Sequence, residues 1–493
     1  MSIKTKKNYM VRREKSKGLF IFAVLIIGAF LFGNVHAQTQ ETELISDYEL
    51  TLDEAIKIAV ANSPQVKRAL LSVEDAGELV KIAYSEIYPN ISSSATYSRD
   101  IEPQVFFITD STGNVNQLQV GADNSWQASI SVSQTLFRGE TIVGLSSATV
   151  FKTVQEENLR ATTQQLITQT RIAYYSVLAA LEQLRLQETQ IKRLEQNLKE
   201  NEARQKAGLV DEYAVLSLRV QLSNQKPQLI EAEYAVEEAY RVLKITLGLP
   251  LKFEFDVLGN LNEFDILGDG TNQAVNGHIA LVDQMNPYIF QKEGFDSLGL
   301  ELTRGDLRIL DASLALNQKE ITATKSRFLP TITASYNLSW NSPDPDPIEF
   351  FPDPRVRFQT LGVNVSLPLF QGFKRIADVQ RVQIARKDLE EQKRAVMLNA
   401  QNEVASASED LNRAFETAEA RKIALQQATE GYERAQKRLE NGLGSQLEVT
   451  DAEVQVRQAE VNYALMVYQY LTAKAQYDLA TGKVPYVDTE IEE

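Results

Sequence analysis

The side chains that most often carry nucleophilic, redox and metal chemistry are almost absent from this chain. It contains no cysteine and only two histidines, His36 and His278. A chain without cysteine has no disulfide and no thiolate nucleophile, and so few histidines cannot supply a multi-histidine zinc site or an HExxH motif. His278 lies in a stretch rich in glycine and asparagine, where we expect a solvated loop. Composition therefore disfavours an enzyme, and we expect no cofactor and no metal centre.

The first 37 residues have the three parts of a secretory signal peptide. A basic stretch from Lys4 to Lys17 precedes an apolar run from Leu19 to Phe32, and small residues at Val35 and Ala37 suit cleavage after Ala37. The apolar run of about 14 residues is short for a membrane span, although an uncleaved anchor helix is the alternative. We therefore expect residues 1–37 to be removed on export.

The exported chain is strongly acidic. Cleavage after Ala37 removes seven basic residues and one acidic residue, which leaves 44 basic and 65 acidic side chains and a net charge of −21. Such a charge opposes binding to nucleic acid or to an anionic membrane surface. We therefore expect no nucleic-acid partner.

The chain is a tandem duplication. A Leu-Phe-x-Gly motif at residues 136–139 leads into a long helical pattern that breaks at Gly208, and a second helical pattern follows. The same signals return at residues 369–372 and at Gly442, at offsets of 233 and 234 residues. Self-similarity at a fixed offset indicates two copies of one structural unit.

Each copy contains a long helical hairpin, at residues 139–248 and 372–482. The first helix, 68 residues to Lys206, would be about 100 Å long. Apolar residues recur at heptad spacing, which predicts coiled-coil packing between neighbouring helices. These residues are Val177, Leu184, Ile191 and Leu198 in the first copy, and Leu411, Ala418, Leu425, Tyr432 and Leu439 in the second. Gly208 and Gly442 follow the periodic residues, where a helix end favours a residue free to adopt positive φ.

The remaining segments complete the two copies. The first copy spans residues 38–250 and the second spans residues 287–485, with a linker or equatorial region at 251–286 and an acidic tail at 486–493. In the second copy, 43 residues separate Pro287 and Pro330, against 25 between Pro64 and Pro89 in the first. This difference predicts an insertion at residues 288–327.

Two proline signals and one capping signal mark the helices of the first copy. Thr51 and Glu54 have the spacing of a capping box that opens an N-terminal helix. Pro64 should interrupt this helix, because proline removes a hydrogen bond and disfavours helix in the preceding residue. Pro227 should kink the return helix of the first hairpin.

Between the short helices and the long hairpins, the hydrophobic period changes from 3.6 to 2. Apolar and polar residues alternate over the runs Ile91–Tyr97, Trp126–Leu136, Pro330–Trp340 and Leu361–Leu369. This alternation predicts strands with one apolar and one polar face, in β-hairpins at residues 90–137 and 329–370. The connections Arg99–Ser125 and Asn341–Arg357 are rich in Asp, Pro and Gly and should be exposed and irregular.

Strand length and aromatic position favour a membrane-spanning sheet. The run Trp126–Phe137 would extend about 40 Å, and a tilt of about 40 to 45° brings this near the thickness of a bilayer's apolar core. Aromatic residues mark both ends of the strands, as two interfacial belts require. They are Trp126 and Trp340 at the loop ends, and Tyr88, Phe137, Phe328 and Phe370 at the helix ends. A soluble sheet packed on one face is the alternative.

Four strands cannot close a barrel by themselves. An open sheet in lipid would leave edge N–H and C=O groups without partners, at a cost of several kcal/mol each. Other copies of the chain must therefore complete the wall. Three copies supply 12 strands and the smallest barrel with a wide lumen, because two copies give a barrel filled by its own side chains. We therefore expect a homotrimer.

This arrangement resembles the TolC-type outer-membrane efflux proteins of Gram-negative bacteria. The resemblance rests on the duplicated strands, the Leu-Phe-x-Gly motif and the helical hairpin with a Gly-Leu tip, and it covers about Thr51 to Pro485. It implies an α+β membrane protein in which three protomers form a 12-stranded β-barrel in the outer membrane, continuous with an α-barrel across the periplasm. It also implies two partners, a periplasmic adaptor protein and an inner-membrane transporter, whose substrates the channel conducts outward.

The resemblance places adaptor contacts at the two hairpin tips. These are Ala207, Gly208 and Leu209 in the first copy, and Asn441, Gly442 and Leu443 in the second. The glycines also fit a purely structural role as helix caps. The two roles are compatible, because exposed Leu209 and Leu443 would have no core to enter.

The resemblance also places an acidic pair at the periplasmic mouth, six and nine residues after the second tip glycine. Here these residues are Glu448 and Asp451. One helical turn apart, they lie on one face of the helix, and three chains would bring together six carboxylates that repel one another. The alternative is structural, because Ser445 and Glu448 have capping-box spacing and Asp451 would lie on a solvated face. The implied role of the pair is a periplasmic gate.

A trimeric surface adhesin with a coiled-coil stalk and a β-barrel anchor is the alternative function. An adhesin of this kind would place its four strands consecutively at one end of the chain. Here the strands lie in two hairpins about 234 residues apart, and each hairpin leads into helices. This order favours the channel.

Overall fold

The computed structural model describes residues 49–102, 105–109, 113, 115–119, 123–261, 297–344 and 355–484. The expected signal peptide, His278, most of the 251–286 region and the 486–493 tail lie outside these residues. Across the described ranges, no helix combines the length and the apolar character that a membrane span requires.

Two short helices open the first copy. Helix α1 spans Leu52–Asn62 and α2 spans Pro64–Ser85. Thr51 Oγ1 accepts a hydrogen bond from Glu54 N, and Glu54 Oε2 accepts one from Thr51 N at 3.1 Å, so the predicted capping box is confirmed. Pro64 occupies the first turn of α2, where its missing N–H leaves no donor unsatisfied. The predicted interruption at Pro64 is therefore confirmed.

The same pair of helices recurs in the second copy. Helix α5 spans Ser297–Thr303 and α6 spans Gly305–Ser326. Helices α2 and α6 each contain 22 residues, and Pro330 follows the start of α6 by as many residues as Pro89 follows the start of α2. The predicted insertion at residues 288–327 is therefore wrong, because Pro287 is not the counterpart of Pro64.

Four long helices form the two hairpins. In the first, α3 spans Gly139–Lys206 and α4 spans Glu212–Thr246; in the second, α7 spans Lys374–Glu440 and α8 spans Gln446–Thr481. The return helices α4 and α8 cover only about half of the length of α3 and α7. The other half of α3 packs on α2 and α6, and α7 packs on α6. Helix α4 continues as one element through Pro227.

The two copies differ where the sheet joins the hairpin. In the first copy, the strand ends at Phe137 and α3 begins at Gly139. In the second, the last strand ends at Ser366 rather than near Phe370, because Pro368 cannot donate to a strand ladder. Gly372 and Phe373 then both adopt positive φ, of 59° and 66°, and α7 begins two residues later than predicted.

Four antiparallel strands form the main sheet in the order β2-β5-β7-β8. They are β2 Asn90–Arg99, β5 Asn124–Phe137, β7 Thr331–Asp344 and β8 Val356–Ser366. Each predicted strand pair is present, and β5 pairs with β7 to join the two copies. The sheet therefore combines both halves of the duplication, with β2 and β8 at its edges.

One face of this sheet is apolar and the other is rich in serine. The register places apolar residues opposite one another across the strands: Ile91, Ala95 and Tyr97; Trp126, Ala128, Ile130 and Val132; Tyr336, Leu338 and Trp340; and Leu361, Val363 and Val365. On the other face, three serine pairs join β2 to β5 with Oγ–Oγ distances of 2.7 to 2.8 Å, namely Ser92–Ser131, Ser94–Ser129 and Ser98–Ser125. The predicted alternation is confirmed.

A β-bulge changes the face assignment at the end of β5. The register shifts between Thr135 and Phe137, so that Phe137 pairs with Ile332. The alternation of apolar and polar residues in the sequence predicts Leu136 on the apolar face instead. An extra residue in one strand explains the difference, because a bulge reverses the side-chain alternation beyond it.

A small hairpin occupies the connection that the sequence predicted to be irregular. Strand β3, Val105–Thr109, pairs with β4, Val115–Gln119. Phe106, Phe107 and Ile108 favour strands, and their side chains are exposed. The prediction was wrong for these residues because the surrounding Asp and Gly residues concealed a short strand signal.

The main core surrounds the middle of α3. Strand β1, Glu49–Leu50, pairs in parallel with β6, Asp256–Val257, and the Tyr174 hydroxyl of α3 donates to the backbone beside this pair at Leu50 O. Leu50, Val257 and Leu261 are buried in the same cluster as α3. The first part of the 251–286 region therefore packs on the long helices.

Candidate functional site

The two hairpin tips are built in the same way. Gly208 and Gly442 have φ values of 73° and 72°, which only glycine adopts without a steric cost. The amide of the leucine after each glycine donates to a carbonyl of the helix's last turn, Leu209 N to Arg204 O at 2.9 Å and Leu443 N to Arg438 O at 2.8 Å. These are Schellman turns, so both glycines are confirmed as helix caps.

Each tip exposes a pair of large apolar side chains. Leu209 and Leu443 are 76% and 73% exposed, and Tyr213 and Leu447, which follow them on the return helices, are almost as exposed. We call these four residues the tip surface. Tyr213 and Leu447 were not among the predicted site residues, although the 234-residue offset relates them. Exposed apolar clusters of this kind mark sites of protein contact.

The acidic pair lies beside the second tip, on the first turns of α8. Ser445 Oγ accepts a hydrogen bond from Glu448 N at 3.2 Å, so half of the alternative capping box is present. The Glu448 carboxylate instead lies 3.6 Å from the Arg438 guanidinium, and the Asp451 side chain is exposed. Glu448 is therefore partly neutralised, and Asp451 provides the free charge of the pair.

Arg438 was not predicted as a site residue. Its guanidinium also donates a hydrogen bond to Leu443 O at 3.2 Å. The Arg438 side chain therefore contacts both the tip loop and the acidic pair. The first tip has Arg204 at the corresponding position but Ala214 and Ser217 in place of the acids. Each chain therefore contributes one acidic pair, and the signal that identifies Arg438 is its counterpart in the duplication.

The predicted interfacial aromatics lie at the two ends of the sheet. Near the loop end, the rings of Trp126 and Tyr97 have centroids 4.7 Å apart, and Trp340 pairs with Ala128 on the same face. At the helix end, Tyr88 is exposed just before β2, and Phe137 closes β5. The structure therefore groups these residues at the levels that the sequence indicated.

The strained turn before α7 extends the helix-end group. Phe370 and Phe373 contact edge to face with centroids 5.5 Å apart, and the Arg375 guanidinium lies 5.5 Å from the centre of the Phe328 ring. Phe373 was not predicted, because positive φ in a phenylalanine is rare and has no sequence signal.

The chain is duplicated and has an open antiparallel sheet with one apolar face. It also has long helical hairpins with exposed apolar tips. Together these features define the class of outer-membrane channel proteins. A family model described as outer membrane efflux protein matches residues 55–249 and 300–483. The chain therefore belongs to the outer membrane efflux protein family. It is an outer-membrane protein that extends into the periplasm, and its family is one of channels rather than enzymes.

Individual proteins show the same similarity. The chain is 22% identical over 428 residues to the outer membrane protein TolC of Salmonella enteritidis, covering 85% of this chain and 79% of that protein. The crystal structure of CusC superposes with a TM-score of 0.68 at 18% identity, covering 92% of this chain and 95% of CusC. The open state of the Neisseria gonorrhoeae MtrE outer membrane channel has a TM-score of 0.67 at 17% identity, covering 91% and 95%.

Proposed function

We propose that three copies of this chain form a channel that conducts substrates across the outer membrane, from a periplasmic adaptor and an inner-membrane transporter. The observation that carries this proposal is the sheet, which is apolar on one face and open at both edges. All three strand pairings are antiparallel, so the edge strands β2 and β8 run in opposite directions. Strand β8 of one copy can therefore pair antiparallel with β2 of the next, and three copies close 12 strands without a free edge.

The helices support the same assembly. Helix α3 buries 23 residues and α7, almost equal in length, buries 6. Among the return helices, α8 buries 11 residues and α4 buries 6. Helix α3 packs on both α4 and α8, whereas α7 packs on α8. Among the long helices, α4 and α7 thus each have one neighbour where α3 and α8 have two. By analogy with the contact between α3 and α8, we propose that α7 of one copy packs on α4 of the next.

The tip surface and the acidic pair lie at the same end of the long helices and have different proposed roles. Four exposed apolar side chains at the tips suit contact with an adaptor protein. Glu448 and Asp451 lie on the same turns of α8, and three chains would line the mouth with negative charge. In this proposal the transporter supplies the energy for export.

Cross-linking tests the assembly, since the cysteine-free chain accepts thiol pairs without background. Within one chain, Arg193 of α3 faces Glu460 of α8 at 4.0 Å. The 234-residue offset relates these positions to Gln427 on α7 and Lys226 on α4, which are both exposed. We expect Lys226→Cys with Gln427→Cys, treated with a short bifunctional thiol reagent, to give covalent dimers and trimers.

The matched control is Arg193→Cys with Glu460→Cys, which should cross-link within one chain and leave its mass unchanged. The absence of dimers and trimers in the first variant, with reaction in the control, would reject the trimer. The purified wild-type protein should also have three times the chain's mass in detergent and should conduct ions in a planar bilayer.

A further inference from the structure

A polar layer interrupts the packing between α3 and α8 close to the tips. Val449, Glu453 and Val456 of α8 are buried, and Glu453 is only 3% exposed. Asn197 of α3 donates a hydrogen bond from Nδ2 to Glu453 Oε2 at 3.3 Å. A polar residue in a coiled-coil seam otherwise lined by valines lowers the stability of the seam.

This layer has fewer hydrogen-bond donors than acceptors. Within the described residues, Glu453 Oε1 and Asn201 Oδ1 are buried acceptor atoms with no hydrogen-bond partner. Asn201 lies one turn beyond Asn197 on α3. A buried acceptor without a donor is costly, and a proton on Glu453 would convert one of its two acceptor oxygens into a donor.

The charged and titratable groups around Glu453 come from three helices. Arg193 of α3 and Arg457 of α8 favour the charged carboxylate, but burial has the larger effect and raises the pKa of Glu453 above its ordinary value of 4.5. Both arginines also have other partners, because Arg457 donates to Gln225 of α4 at 2.8 Å and Arg193 faces Glu460.

Tyr432 of α7 is the third neighbour. Burial raises the pKa of Tyr432, and Glu453 and Glu200 raise it further, whereas Arg193 lowers it. The tyrosine is therefore neutral throughout the range in which a carboxyl group titrates. It adds no positive charge that would stabilise an ionised Glu453.

We propose that Glu453 is a positioning residue for the periplasmic mouth: with a proton it holds the start of α8 against α3, and without the proton it loosens this contact. Glu448 and Asp451 lie within five residues of Glu453 on α8. A movement of the first turns of α8 therefore moves the acidic pair. This inference rests on the proposed channel function.

The direction of the effect follows from proton linkage. The folded seam binds the proton of Glu453 more tightly than an unfolded chain does, so the packed form is favoured fully at a pH below the ordinary carboxyl value. Its advantage falls as the pH rises from that value through the raised pKa. The seam should therefore be tightest at a pH below the ordinary carboxyl value and loosest at a pH above the raised pKa of Glu453.

The duplication contains no second layer of this kind. At the 234-residue offset, Arg219 replaces Glu453 and Gly431 replaces Asn197. Within the part of the chain that the structure describes, the weak layer therefore lies where α8 meets α3 of the same chain. Each chain has one acidic pair and one buried carboxyl group that can position it.

The test measures distances between spin labels in the assembled full-length protein. Lys199 on α3 and Gln455 on α8 are exposed and lie two residues from Asn197 and Glu453. Labels at Lys199→Cys and Gln455→Cys, in chains co-assembled with unlabelled chains, report one distance per protein. We expect a narrow distribution at a pH below the ordinary carboxyl value of 4.5, which broadens and lengthens as the pH rises through the raised pKa of Glu453.

Glu453→Gln, which is neutral at every pH, should give the narrow distribution throughout. The double variant Glu453→Leu with Asn197→Leu replaces the layer with an apolar one and should behave in the same way if the glutamine variant folds poorly. Glu237→Gln, which removes an exposed carboxylate of α4, should retain the wild-type pH response.

A pH-independent distance in the wild type, or a pH response that persists in Glu453→Gln and in the double leucine variant, would overturn the inference. The labels report on one chain whether or not the protein conducts. Failure of the proposed channel function would instead appear as a missing trimer or missing conductance with the same distances.

Discussion

Arg171 of α3 and Asp478 of α8 form a buried ion pair, with 2.8 Å between Nη1 and Oδ2. Lys474 also contacts Asp478. Arg171 is fully buried, and Asp478 is nearly so. These residues come from different copies of the duplication. The pair therefore stabilises the contact between the second helical hairpin and the first, in the region where both hairpins pack near the short helices.

Removal of Asp478 should strongly destabilise the protein. Asp478→Ala removes the carboxylate that pairs with Arg171 and Lys474, and breaking a buried ion pair by removing one partner costs about 3 to 5 kcal/mol. The free energy of unfolding, measured with denaturant in detergent, checks this. Glu430→Ala, which breaks the exposed pair with Arg434, should change it by less than about 1 kcal/mol. Equal effects of the two variants would contradict the structural role of the buried pair.

The two faces of the sheet should respond oppositely to a charge. Ile130 pairs with Ser93 and Leu338 on the apolar face, and the next residue, Ser131, lies on the serine-rich face. Ile130→Arg should cost about 2 to 4 kcal/mol if this face contacts lipid near the bilayer centre, whereas Ser131→Arg should cost much less. The midpoint of thermal unfolding of the assembled protein measures both. The reverse order would place the serine-rich face in lipid.

The tip surface should be needed for export but not for folding. Leu209→Asp with Leu443→Asp replaces exposed leucines, so the free energy of unfolding should change by less than about 0.5 kcal/mol. Export in cells and co-purification of the adaptor should be lost. The control is Leu251→Asp, an exposed leucine beyond the end of α4, which should leave export intact. Normal export by the double tip variant would remove these leucines from the adaptor contact.

The acidic pair should limit conductance. Glu448→Ala with Asp451→Ala removes six carboxylates from a trimer and should raise the conductance measured in a planar bilayer. Asp451→Ala alone should have the larger effect of the two single variants, because Arg438 already neutralises part of the Glu448 charge. Glu233→Ala with Glu237→Ala, on the exposed side of α4, makes the same charge change and should not alter conductance. Unchanged conductance in the first double variant would remove the gating role.

The parts of the fold that the sequence predicted are those set by local signals. Each of these signals depends on residues within a few positions of one another. They are the Thr51 capping box, the break at Pro64, the Schellman glycines Gly208 and Gly442, and the strand alternation. The duplication extended this reach for the Schellman glycines and the strand alternation, because these signals appear in both copies. Local signals thus identified the long helices and the strand pairs.

The parts that the sequence did not predict depend on contacts between distant segments. The bulge before Phe137 reflects its pairing with Ile332, almost 200 residues away. In the sequence, Arg438 and Glu453 are ordinary charged residues of a heptad pattern. Their contacts arise only from the packing of α8 on α7 and α3. No periodicity distinguishes a buried heptad glutamate from a solvated one, so the polar layer could not be predicted.

The opposite directions of β2 and β8 have a consequence for how many subunits assemble. In the proposed assembly two different edges meet at each contact, so the interface is heterologous rather than self-complementary. Such an interface closes only when the rotation from one subunit to the next divides a full circle, and strand hydrogen bonds tolerate a range of rotations. The proposed contact between α7 of one copy and α4 of the next would therefore fix the subunit count. A substitution that altered the angle of this contact would change the stoichiometry and leave every strand pair within the chain intact.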